Sequence, residues 1–172
     1  MLKLYCQTLT RMVSSPGKFF REKEATLNGY NALGFLVFST LFFTGIGLLF
    51  RPRENAALIG GISLFNEVGM AVLAAAVGYG LMVMLVGRRV GFTRIFNVVA
   101  LCSGTTMLIA WVPYSLGFAV IWKWWLIATG LTAGIGLSKR QAGVIVALAV
   151  LVLFAIFRSL LPLAAYLKGA VA

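Results

Sequence analysis

Between Ile95 and Ser138 lie 44 residues that carry a single charge, Lys123. A membrane-spanning helix needs about 20 apolar residues. This stretch is therefore too long for one helix and about right for two, divided at Pro113-Tyr114-Ser115-Leu116-Gly117, where proline and glycine punctuate helices. The remaining runs fit the same reading. Tyr30 to Phe50 is free of charge and closes on Arg51-Pro52-Arg53, and Val68 to Gly87 closes on Arg88-Arg89. A last run starts at Gln141 and extends past Arg158 towards Leu167.

Composition supports a bilayer as the solvent. Apolar residues make up 61% of the 172-residue chain and charged ones 11%, against roughly 25% charged in an ordinary soluble domain. So little polar surface cannot wrap a water-soluble core, and such hydrophobicity excludes intrinsic disorder. The expected fold is an all-α integral membrane protein, one polytopic domain over residues 1–172. Five transmembrane helices are expected, at about 30–50, 68–87, 95–113, 118–138 and 141–161. Residues 1–29 form an interfacial N-terminal segment.

The charges that remain are 15 Lys and Arg against 4 acids. Five spans put ten of the basic residues on the side of the N-terminus and five on the other. Cytoplasmic loops collect Lys and Arg, so the N-terminus is expected in the cytoplasm and the C-terminus outside. Trp111, Tyr114, Trp122, Trp124 and Trp125 gather around the break between spans three and four, as an outer interfacial belt would.

Ahead of the first span, Leu2, Tyr5, Leu9, Met12 and Val13 share one helical stripe, which suits a short amphipathic helix lying in the interface plane. Ser14-Ser15-Pro16-Gly17 interrupts it. Ser15 is placed to cap a second short helix with Pro16 at its first position, from which Phe19 and Phe20 would dip into lipid. Lys3 and Arg11 interrupt the first fifteen residues, so a cleavable signal peptide is not expected.

Catalytic chemistry has few carriers here. Histidine is absent, which removes the commonest general base and neutral metal ligand. Cys6 and Cys102 are too far apart for a zinc or redox motif and are expected as two free thiols. Without Asp, metal-dependent hydrolysis is disfavoured, and the serines have no His partner. No catalytic residue, cofactor or metal is expected, and the protein is read as non-enzymatic.

Ionisable residues inside spans are functional candidates by default. By helix rise, Glu67 lies ~30 Å from Gly87, Lys123 ~21 Å from Leu137 and Arg158 ~26 Å from Gln141. All three fall in the outer half. They either reach outward separately, as long basic side chains do, or share a polar cavity. Ala74-x-x-x-Gly78 and Gly130-x-x-x-Gly134 are spaced for close helix approach, within the chain or between copies. The loops holding Arg88, Arg89 and Arg94, and Lys139 and Arg140, fix orientation and offer contacts to anionic lipid head groups or partners. Nucleic acid is not an expected partner, since no separate basic domain exists.

The order of features resembles a known family. Ser15-Pro16-Gly17-Lys18-Phe19-Phe20 precedes the first span, and Gly87 to Phe96 (GRRVGFTRIF) joins spans two and three. Ala110-Trp111-Val112-Pro113 ends span three, and Gly136-Leu137-Ser138-Lys139-Arg140-Gln141-Ala142 links spans four and five. This is similar to the Yip family of Ypt/Rab-interacting membrane proteins, in the short bacterial form. The resemblance implies a five-span helical fold with a cytosolic N-terminus and transfers no catalytic residue. Two functions stay open: a membrane-organising or partner-scaffolding protein, alone or as a homo-oligomer, and a small lipid or ion conduit whose polar cavity holds Glu67, Lys123 and Arg158.

Overall fold

The computed structural model describes residues 2–23, 29–50, 55–87, 90–110 and 116–171. Among them all regular structure is helical: α1 (Leu2–Ser14), α2 (Pro16–Lys23), α3 (Gly29–Phe50), α4 (Ala56–Val86), α5 (Phe92–Ala110), α6 (Leu116–Ala133) and α7 (Lys139–Val171). Three stretches are long and apolar enough to cross a membrane, Gly29–Leu49, Ala56–Val86 and Lys139–Ser159. Five were expected. The other two helices, α5 and α6, are shorter, at 19 and 18 residues. Over Phe92–Leu108 α5 is apolar but short. The expected break at Pro113-Tyr114-Ser115 lies outside the described residues.

Helix α4 begins twelve residues before the expected start at Val68. Ala56 to Glu67 contains no proline, and Leu58, Ile59, Ile62, Leu64 and Phe65 are helix-compatible, so a single carboxylate does not stop the helix. It starts as the chain leaves Asn55, which has the left-handed φ of 69° that asparagine tolerates. It ends at Gly87, where φ is 66° and the N–H donates to the Val83 carbonyl at 3.1 Å. That is the left-handed glycine stop typical of helix C-termini.

Helix α5 is the axis of the bundle. Every residue from Val98 to Thr106 is buried, with α3, α4 and α6 packed around it. The register fixes directions. A Cβ at Gly29 would lie 3.0 Å from Thr93, and Thr40 meets Met107 eleven residues further along, so α3 and α5 run parallel. The two small-residue motifs face this axis. Gly78 of α4 lies against Ile95, and Gly130 of α6 against Val98. They serve packing within the chain. The outer faces are apolar and exposed, with Phe38, Leu41, Phe42, Phe65, Leu151 and Phe154 among their residues. A water-soluble protein does not leave such surfaces uncovered.

One expectation is overturned at the N-terminus. Phe19 and Phe20 do not dip into lipid: they are 3% and 1% exposed and belong to the core. Met12, from the preceding helix, is fully buried. The reason is the corner at Ser15. Its N–H donates to the Arg11 carbonyl at 2.9 Å to close α1, and its carbonyl accepts from Phe19 N–H at 3.0 Å to open α2. The chain thus turns while Pro16, which has no N–H, costs no hydrogen bond. Turned this way, Tyr5, Leu9 and Met12 of the α1 stripe and the Phe19-Phe20 pair meet the bundle, while Val13 stays exposed, and glycine at 130 leaves room for the Phe20 ring.

Candidate functional site

A polar seam runs where α1 meets α3 and α5. Ser39, Thr40, Asn97, Ser103, Thr105 and Thr106 are all buried. Most of these hydroxyls return to their own helix. Ser39 donates to the Phe35 carbonyl at 2.8 Å, Thr40 to Leu36 at 2.9 Å, Thr105 to Leu101 at 2.8 Å and Thr106 to Cys102 at 3.0 Å. A hydroxyl bonded to its own helix avoids the cost of an unpaired polar group in an apolar interior. Ser103 Oγ is buried without a partner among the described residues.

Helix α1 completes the seam. Tyr5 OH lies 2.9 Å from Ser39 Oγ. The Ser39 proton is already given to Phe35, so the phenol is the donor. Its ring sits between Phe35 and Phe38, at centroid distances of 4.8 and 4.6 Å. Burial raises the Tyr5 phenol above its ordinary pKa, against the lowering effect of the Ser39 hydrogen bond. Further along, Met12 Sδ lies 3.4 Å from Thr105 Oγ1.

The basic candidates fall at helix starts. Arg94 is exposed in the first turn of α5, and Lys139 and Arg140 are exposed at the start of α7. That start is capped reciprocally: Ser138 N–H donates to Gln141 Oε1 at 3.1 Å, and Gln141 N–H to Ser138 Oγ at 3.2 Å. Two cations at the positive end of a helix dipole do not stabilise the helix, so an anion is their natural complement. Arg88 and Arg89 lie outside the described residues.

The outer group is divided. Lys123 of α6 is partly buried, with Glu67 of α4 and the Cys102 thiol of α5 close enough to act on it electrostatically. Arg158 is exposed on α7. Cys6 is exposed, Cys102 is buried, and both are free thiols. Among the described residues no three His, Cys, Asp or Glu side chains are grouped to hold a metal. A small cavity between α4, α5, α6 and α7 is apolar, with Ala74, Gly78, Ile95, Val99, Leu131 and Ala149 in its wall.

Ser39 stands out in the sequence only as a serine without a His partner, and Thr40, Thr105 and Thr106 do not stand out at all. A signal was present. Cys102-Ser103-Gly104-Thr105-Thr106 places hydroxyls or small groups on every face of one turn, which suits a helix packed closely on all sides.

A helical bundle whose polar groups are enclosed and whose outer faces are apolar is a multi-pass membrane protein. A family model described as the Yip1 domain matches residues 10–160. The chain belongs to the Yip1 family. No curated protein and no solved structure matches it.

Proposed function

We propose that this Yip1 family member crosses a bacterial inner membrane five times, N-terminus inside and C-terminus outside. There it acts without catalysis, organising membrane or scaffolding protein partners. The observation that carries this reading is the enclosure of α5. A helix buried on every side shares the depth of the helices around it, so α5 and its antiparallel partner α6 join the three longer helices as spans. Their lengths, ~27–29 Å at 1.5 Å per residue, approach the hydrocarbon thickness of ~30 Å. The imbalance of basic residues supports the orientation. Arg94, Lys139 and Arg140 then lie in the cytoplasmic headgroup layer, each worth ~1 kcal/mol near an anionic leaflet.

Electrostatic proximity of Glu67 and Lys123 supports a second reading, a lipid or ion conduit with a polar outer cavity. Purified protein in sealed vesicles separates the two. The scaffold reading expects no ion flux or lipid scrambling above protein-free vesicles. Flux that disappears in Glu67→Gln would replace it with the conduit. Crosslinking in native membranes should then recover the same membrane proteins repeatedly with the wild-type chain.

A further inference from the structure

The corner of α1 and α2 has an outward face that hydrocarbon cannot solvate. Gln7, Arg11, Ser14, Ser15 and Lys18 are all exposed along it. Its depth follows from what its inner face touches. Met12 meets Thr105, which is thirteen residues into α5, or ~20 Å from Phe92 by helix rise. Gly17, beyond the corner, lies against Thr129 of α6. The backbone at Arg11 and the Ser14-Ser15 turn thus lies within the hydrocarbon thickness, between the two ends of α5, provided that α5 spans the membrane as proposed above. Charged groups at such depth face a polar partner or a water-filled recess. The only carboxylate on either helix is Glu22, a turn beyond Lys18.

Apolar walls flank this face. Phe38 of α3 packs edge-on against Tyr5 and is 44% exposed. Trp125, whose carbonyl accepts from Thr129, is 54% exposed on α6. A cationic, hydroxyl-bearing floor between two apolar walls matches one kind of molecule abundant in a membrane, with an anionic head and acyl chains.

We propose that the outward face of α1 and α2 binds the phosphate of an anionic glycerophospholipid, drawn below the level of the surrounding head groups. Arg11 and Lys18 supply the charge, and Ser14 and Ser15 supply hydroxyl donors. The acyl chains lie along Phe38 and Trp125. This site is separate from the loop arginines and lysines, which meet head groups in their ordinary plane.

Native mass spectrometry of the full chain, released from micelles containing equal phosphatidylglycerol and phosphatidylcholine, tests the assignment. The wild type should retain phosphatidylglycerol in preference. Arg11→Gln and Lys18→Gln should each weaken that preference roughly fivefold, and Arg158→Gln should leave it intact. Glycerol 3-phosphate in excess should not displace the lipid. The site is overturned if the Arg11→Gln/Lys18→Gln double variant keeps the preference while remaining as thermally stable as wild type. It is also overturned if the soluble phosphate competes, or if Cys6→Ser/Gln7→Cys crosslinks to a second copy in place of retaining lipid. Sided labelling of Gly117→Cys reads the five-span topology independently. A correctly inserted chain without lipid preference therefore defeats this site alone.

Discussion

The Thr105 hydroxyl stands 3.4 Å from the sulfur of Met12, across 93 residues of sequence. Its proton is directed mainly to the Leu101 carbonyl at 2.8 Å, so the contact with sulfur is secondary. Packing is its main content. Met12 is fully buried and fastens α1 to the most enclosed helix of the bundle. Met12→Ala should cost about 2–5 kcal/mol by the cavity it leaves. Met12→Leu should cost under about 1.5 kcal/mol. Thermal unfolding in one detergent ranks the two.

Close helix approach depends on two glycines. A Cβ at Gly130 would lie 2.5 Å from Val98 Cγ1 and 3.3 Å from the Phe20 ring, and one at Gly104 would lie 2.8 Å from the Phe35 ring. Gly130→Ala and Gly104→Ala should each destabilise by about 1–3 kcal/mol through overpacking. At Gly34 an added Cβ meets nothing within 4 Å. Gly34→Ala should be neutral or mildly stabilising, since alanine favours helix.

The two thiols should react at very different rates. Cys6 is exposed and Cys102 fully buried. A small maleimide should modify one thiol per folded chain in detergent, at Cys6, and the second only after denaturation. Intact mass after timed quenching reads this directly. Early modification of Cys102 would mean that α4 and α6 do not enclose α5.

The start of α7 rests on its reciprocal cap. Ser138→Ala or Gln141→Ala should each cost about 1 kcal/mol. The double variant should cost less than the sum, because either change breaks the same loop of hydrogen bonds. A double-mutant cycle on thermal stability gives that coupling.

Helix α3 was legible almost to the residue, because charges close the apolar run at its C-terminal end. Helix α4 was not. A charge-free run is a poor guide to where a helix begins, because a single carboxylate such as Glu67 does not stop a helix whose other residues favour it. The stripe of Tyr5, Leu9 and Met12 identified an amphipathic helix correctly, yet amphipathicity alone cannot say what covers the apolar face. Lipid and a bundle groove satisfy the same pattern. What decided for the groove at Phe19 and Phe20 was a partner a hundred residues away, Gly130, whose missing side chain makes the space. The hydroxyl seam was hidden for a related reason: Ser39 and Thr105 are common residues in membrane helices, and only the enclosure of α5 gives them a shared location.

Five spans require that α5 and α6 both cross the membrane. Sided labelling with a membrane-impermeant maleimide, in a Cys6→Ser/Cys102→Ala background, tests that most directly. In intact spheroplasts, Asn55→Cys and Gly117→Cys should label from outside, while Gly91→Cys and Lys139→Cys should label only after permeabilisation. A Gly117→Cys that stays unlabelled until the membrane is opened would contradict the account. It would make α5 and α6 a re-entrant pair in a three-span protein.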